Sequence, residues 1–154
     1  MSVGDVPDTE PTPFSLADRT WSPEEIIRHL DPFVTERRRE RIREVVGERT
    51  RTVVPVVEGL YNMGNVSAVL RSAEALGYQS LHVIEGEKRF SNEARTAAGT
   101  RQWLDVERWP EADACYDALR DRGYRLLVAD VEDARPLEEV DFTRRTAVVF
   151  GNEA

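Results

Sequence analysis

At 154 residues, with 40% hydrophobic and 32% charged residues, the chain has the profile of one soluble globular domain, and no apolar run is long enough for a membrane span. One cysteine, Cys115, and two histidines, His29 and His82, exclude a disulfide framework and any zinc-site spacing, and they suit a cytoplasmic protein without a metal. The net charge of −8 argues against a nucleic-acid partner as a bulk property, but residues 111–141 hold ten acids and four bases, so much of the negative charge is local.

In chain order, residues 1–20 are expected to be a disordered tail, short of apolar residues at the start and holding Pro7 and Pro11. Ser22, Pro23 and Glu25 form a capping box, which predicts a helix over Pro23–Leu30. Pro32 interrupts it, and a second helix follows over 35–46 with five arginines in 37–43. Residues 21–50 therefore read as a small helical extension. Val53, Val54, Val56 and Val57 predict a buried strand, and Asn62, Gly64 and Asn65 turn the chain. A helix from Val66 buries Val66, Val69, Leu70, Ala73 and Leu76 and stops at Gly77, before a strand over 81–84. Residues 91–98 read as a short helix or ordered loop, and 103–106 as a strand. A helix over 111–122 places Ala112, Cys115, Tyr116 and Leu119 on one face and stops at Gly123. Strands over 124–129 and Thr146–Phe150 flank an acidic loop around Pro136. Alternating strands and helices predict an α/β fold, a mostly parallel sheet with flanking helices.

Polar residues at the carboxyl ends of such strands are the natural ligand-binding positions. Asn65 is one, although capping the helix at Val66 would account for it equally well. Arg71 lies at the edge of the buried stripe beside Ser67; the ordinary alternative is a solvated pair with Glu74 at i+3. Gly151, Asn152 and Glu153 follow the last strand, where glycine permits close backbone approach and glutamate can hold a hydroxyl or a cation. A plain strand-end turn is the alternative. Arg95 and Arg101 flank hydroxyls and a glycine in a loop suited to phosphate, and Arg37, Arg38 and Arg41 can track a phosphate backbone; each segment reads equally as a solvated face. The chain contains no Walker lysine loop, dinucleotide fingerprint or nucleophile elbow.

Taken together, Asn65 and Arg71 after a valine-rich strand, Ala97, Ala98 and Gly99 before Trp103, and the run Val149, Phe150, Gly151, Asn152, Glu153 resemble the SpoU family. These are RNA ribose 2′-O-methyltransferases of the SPOUT class, and the resemblance spans residues 51–154. It implies the Rossmann-like half of a trefoil-knot domain, S-adenosyl-L-methionine as cofactor, RNA as partner with tRNA favoured over rRNA, and a homodimer at full length. Arg71, Asn65 and Glu153 match the positions of the catalytic site. Ala129 and Gly151 fall at strand ends that the resemblance places on the adenosine side. The helical extension is similar to the RNA-contacting part of the tRNA guanosine methyltransferase branch. The family's third motif, which threads the knot, would follow Glu153, so the expectation is a partial domain that is inactive alone. The alternatives are a non-catalytic RNA-binding fragment or decayed paralogue, and a small-molecule α/β enzyme.

Overall fold

The computed structural model describes residues 14–16, 18–59, 63–85, 103–131 and 134–151. They fall into two compact units, Met1–Glu48 and Arg49–Ala154.

The first unit opens with a two-stranded antiparallel ribbon, β1 (Phe14–Leu16) and β2 (Arg19–Trp21), in a stretch expected to be tail. Local pairing overrides the weak composition. The hydroxyls of Ser15 and Thr20 lie 3.1 Å apart across the ribbon, and the Arg19 guanidinium sits 3.7 Å from the Trp21 ring centroid, a cation–π contact. Helix α1 (Pro23–Leu30) starts on the expected capping box: Ser22 accepts from the Glu25 N–H at 3.2 Å, and Glu25 accepts from the Ser22 N–H at 3.0 Å. A single 3₁₀ turn at Asp31–Phe33 leads to α2 (Glu36–Gly47), capped by Thr35.

Among the described residues the second unit is a five-stranded, wholly parallel sheet flanked by two α-helices. In chain order its described elements are β3 (Val53–Glu58), α3 (Met63–Ala75), β4 (Ser80–Ile84), β5 (Asp105–Trp109), α4 (Ala112–Asp121), β6 (Arg125–Val128), a 3₁₀ turn at Leu137–Glu139 and β7 (Thr146–Phe150). The spatial order is β5-β4-β3-β7-β6, so β3 is central and the chain crosses the sheet between β5 and β6. Side chains alternate across each strand. Val57, Leu81 and Val83 therefore pack with Val66, Leu70 and Ala73 of α3, while Val54, Val56, Ile84, Ala147 and Val149 pack with Cys115 and Leu119 of α4. Pro55 occupies the central strand, where it lacks a donor, and the β3–β4 pairing begins only at Val56.

The fifth strand runs over Asp105–Trp109, not 103–106. Glu107 and Arg108 pass as loop residues in the sequence, but both find charged partners against the sheet. The residues 91–98 lie outside the described residues. Helices α3 and α4 each end in a Schellman motif: Tyr78 N–H to Ala73 O (2.9 Å) with Gly77 N–H to Glu74 O (3.1 Å), and Tyr124 N–H to Leu119 O (2.9 Å) with Gly123 N–H to Arg120 O (2.8 Å). Gly77 and Gly123 adopt φ of 76° and 80°, the left-handed region this motif requires. Among the described residues no helix is long and apolar enough to cross a membrane.

Candidate active site

Helix α3 leaves the carboxyl end of the central strand and carries two of the candidate residues. It begins at Met63, so Asn65 is not the cap of a helix opening at Val66 but an exposed residue of the first turn. Two weak helix formers, Gly64 and Asn65, are drawn into the helix, because packing of the following Val66 and Leu70 outweighs propensities of at most about 1 kcal/mol per residue. The buried stripe is Val66, Ser67, Leu70 and Ala73 with Val69 at its margin; Leu76 lies past the last helical residue and is 67% exposed.

Arg71 is exposed, and among the described residues its guanidinium has no hydrogen-bond or ion-pair partner. The Glu74 carboxylate, its expected partner at i+3, is instead 3.2 Å from the guanidinium of Arg49. Asn65 and Arg71 do not bond one another. Helical geometry sets them about 9 Å apart along the axis and about 120° apart around it.

The strand ends at Ala129 and Gly151 come together at the carboxyl edge, where the Ala129 N–H donates to Val149 O at 2.9 Å. Both residues are exposed, as are Val128 at 67% and Phe150 at 38%, and a Cβ built on Gly151 meets nothing within 4 Å. Exposed backbone and apolar side chains fit the adenosine portion of a nucleoside cofactor. Glu153, Arg95 and Arg101 lie outside the described residues.

In the first unit the arginines of α2 sort by face. Arg39 bonds Asp31 at 2.7 Å and also Glu36, and Arg43 lies 3.6 Å from Glu36. Arg37, Arg38 and Arg41 fall within about 100° of one another on another face of the helix. Arg41 pairs with Glu44 at 2.8 Å, whereas Arg37 and Arg38 have no side-chain partner among the described residues.

Two polar arrangements escaped the sequence reading because their partners are distant in the chain. At the end of β3, Glu58 accepts a short hydrogen bond from the Tyr116 hydroxyl of α4. Burial first, and then this bond to a carboxylate, raise the tyrosine hydroxyl above its ordinary range. On the α4 face of the sheet, the Trp109 indole donates to His82 Nδ1 at 3.1 Å, and Arg122 holds Glu107 in a two-pronged pair at 2.7 and 2.9 Å. Burial is the main reason the His82 imidazole is held below its usual range, with Arg122 adding to it. The Glu107 carboxyl would be raised by burial, but the Arg122 bond and the surrounding positive charge outweigh that and hold it low. An indole N–H only donates, so Nδ1 is the acceptor and the ring proton sits on Nε2. The 4.0 Å approach of Glu107 to Nδ1 is therefore no ion pair at neutral pH. Cys115 is buried, and burial pushes its thiol up to about 12.

An open parallel sheet with a helix on each face, an arginine without a partner among the described residues on the helix after its central strand, and exposed backbone at two adjacent strand ends define an α/β domain of the kind whose ligands bind along the carboxyl edge of the sheet. The profile of the SpoU rRNA Methylase family matches residues 52–154, and the chain belongs to that family. It is 32% identical over 120 residues to the tRNA (guanosine(18)-2′-O)-methyltransferase of Thermus thermophilus, covering 77% of this chain and 62% of the relative. With the enzyme of the same name from Borreliella burgdorferi it shares 28% over 125 residues, covering 80% and 57%. Among solved structures, the A. aeolicus TrmH/SpoU tRNA modifying enzyme superimposes with a TM-score of 0.65 at 29% identity, over 77% of this chain and 61% of that one. The chain thus spans about six tenths of the length of these two curated relatives.

Proposed function

We propose that the protein transfers a methyl group from S-adenosyl-L-methionine to a ribose 2′-hydroxyl of RNA, with tRNA the favoured substrate. The family match across residues 52–154 carries this reading, and the relatives named for that reaction on tRNA support the choice of RNA. The cofactor would supply an electrophilic methyl group, with Ala129 and Gly151 offering backbone to its adenosine.

Arg71 is assigned the central role on the nucleophile side. A ribose hydroxyl attacks poorly until its oxygen is aligned and its proton can leave. A guanidinium ordinarily keeps its own proton, so Arg71 acts best as a fixed cation. It orients the hydroxyl, stabilises the developing alkoxide and holds a neighbouring substrate phosphate by two parallel hydrogen bonds. A phosphate oxygen takes the hydroxyl proton as the ribose oxygen gains the methyl group, and the cofactor's sulfur would leave as a neutral thioether. With no carboxylate partner among the described residues, Arg71 has its donors available for this. Asn65 and Glu153 complete the site by orienting groups around the ribose. Arg37, Arg38, Arg41, Arg95 and Arg101 contact the RNA backbone, with residues 21–50 as the RNA-contacting extension and 51–154 as the methyltransferase domain. The working form is a cytoplasmic homodimer.

The test is incubation of the full-length protein with labelled S-adenosyl-L-methionine and separate tRNA and rRNA transcripts, followed by mapping of the 2′-O-methyl group. Methylated tRNA is the expected product. RNA binding without cofactor binding in calorimetric titration would instead establish a non-catalytic RNA-binding protein.

A further inference from the structure

Arg49 is the first residue of the second unit, and its side chain is only 6% exposed. One terminal nitrogen donates to Tyr78 O at 2.8 Å, and the other to the Glu74 carboxylate at 3.2 Å. Tyr78 is the residue that closes the Schellman stop of α3, so a single buried guanidinium grips both the helix end and an acid on its last turn. The backbone beside it is fixed as well: Thr50 N–H donates to Gly77 O and Gln79 N–H to Thr50 O, both at 2.9 Å.

Glu74 stands three positions after Arg71 on the same helix, and oppositely charged side chains at that spacing are neighbours that pair. The carboxylate is only partly exposed, at 35%, and it neutralises a guanidinium that could not be buried alone. The fold thus needs this acid, yet the acid sits within reach of the one arginine whose donors must stay open. A carboxylate on Arg71 would cancel its charge and fill the planar fork that a phosphate or alkoxide requires.

We propose that Arg49 is a positioning residue that withdraws Glu74 from Arg71, leaving the Arg71 guanidinium free for an anionic substrate. The inference rests on the proposed role of Arg71. It separates two arginines by function: one buried and committed to a carboxylate, the other exposed and uncommitted.

The experiment uses the full-length protein with a tRNA transcript and follows two readouts, kcat for methyl transfer and solvent exchange of the Arg71 Nε–H in isotope-labelled protein. Arg49→Met removes the competitor. Glu74 then turns to Arg71, kcat falls about twofold, on the scale of an i,i+3 ion pair on a helix, and Arg71 Nε–H exchange slows. Adding Glu74→Gln to Arg49→Met restores both readouts, which a merely structural loss would not do. Arg49→Lys, which keeps a cation beside Glu74, stays near wild type in both. Ala75→Glu places a new acid on an exposed position at i+4 from Arg71, beyond the grip of Arg49. It produces the same two effects without disturbing the buried pair, and it carries the test if Arg49→Met does not fold. The proposal is overturned if the double variant remains as slow as Arg49→Met, or if Ala75→Glu leaves kcat and exchange unchanged. Wild-type turnover in Arg71→Ala would instead overturn the catalytic reading, while the exchange rates still report the carboxylate capture by themselves.

Discussion

Replacing Trp109 with phenylalanine isolates one hydrogen bond in the core and gives it a pH signature. His82 is 1% exposed, its ring stacked on the indole with centroids 6.1 Å apart, and the indole N–H is the partner its Nδ1 has in the neutral form. Trp109→Phe keeps an aromatic ring in place but strands a buried acceptor, at a cost of about 2 kcal/mol at pH 8. For a chain of this size that corresponds to a fall in Tm of roughly 4–8 °C. Acid should narrow the gap. The folded-state pKa of His82 lies below its ordinary 6.5, so the wild type has its full stability above pH 6.5 and loses it as pH falls toward the folded value. Glu107, also held low, begins to contribute only below its ordinary 4.5, which leaves the interval between the two to His82. In the variant no indole N–H opposes a proton on Nδ1, and Glu107 at 4.0 Å can accept it, so the imidazole is less depressed and less stability is lost on acidification. Urea unfolding followed by circular dichroism at pH 8 and pH 5.5 measures both differences. A wild type equally stable at the two pH values, or a variant deficit that stays constant or widens, would refute the reasoning.

Arg71→Ala in the full-length protein should abolish methyl transfer while leaving stability within about 0.5 kcal/mol of wild type, since the residue is exposed; Arg71→Lys should fail as well, because an ammonium cannot reproduce the planar fork. Changing Arg37, Arg38 and Arg41 together to alanine should weaken RNA binding and reduce the slope of log K against log salt by about 2, with kcat at saturating RNA unchanged; an unaltered slope would return α2 to a solvated helix. Cys115, buried and with its thiol raised to about 12, should resist alkylation in the native protein and react once urea unfolds the second unit, as a thiol-reactive chromophore would report.

What was legible in the sequence was mostly local. Ser22, Pro23 and Glu25 announce α1 because capping is decided within one turn. The β-branched runs of β3 and β7 reveal buried parallel strands because no solvent face interrupts them. Strand β5 was displaced because its polar residues are neutralised by partners elsewhere: Glu107 by Arg122, fifteen positions on, and Arg108 by Glu85, twenty-three back. The site divides along the same line. The spacing of Asn65 and Arg71 marks the helix that carries them, but nothing nearby says that Glu74 is already taken by an arginine twenty-five positions earlier. The i+3 rule ranks local partners and is silent about a buried competitor from the start of the domain.

That competition bears on how a chain of net charge −8 could engage a polyanion. The sheet sorts its charges. Helix α4 packs on the face of Val54 and Val56 and turns Asp113, Asp117 and Asp121 to solvent beside one base, Arg120, which pairs with Asp117, while α3 packs on the face of Val57 and turns out Arg71. The two helices are separated by the thickness of the sheet and its side chains, about 10 Å on each side, which is comparable to the distance over which salt screens exposed charges at physiological ionic strength. A polyanion approaching the α3 face would thus feel the local arginine more than the acids behind the sheet, and the more acidic face disfavours the reverse orientation. Within the α3 face, Glu74 is the near acid that screening would not remove, and the fold deals with it by a direct bond to Arg49. Bulk charge therefore says little about this site. Its affinity for an anion turns on which carboxylates are already bound, and to what.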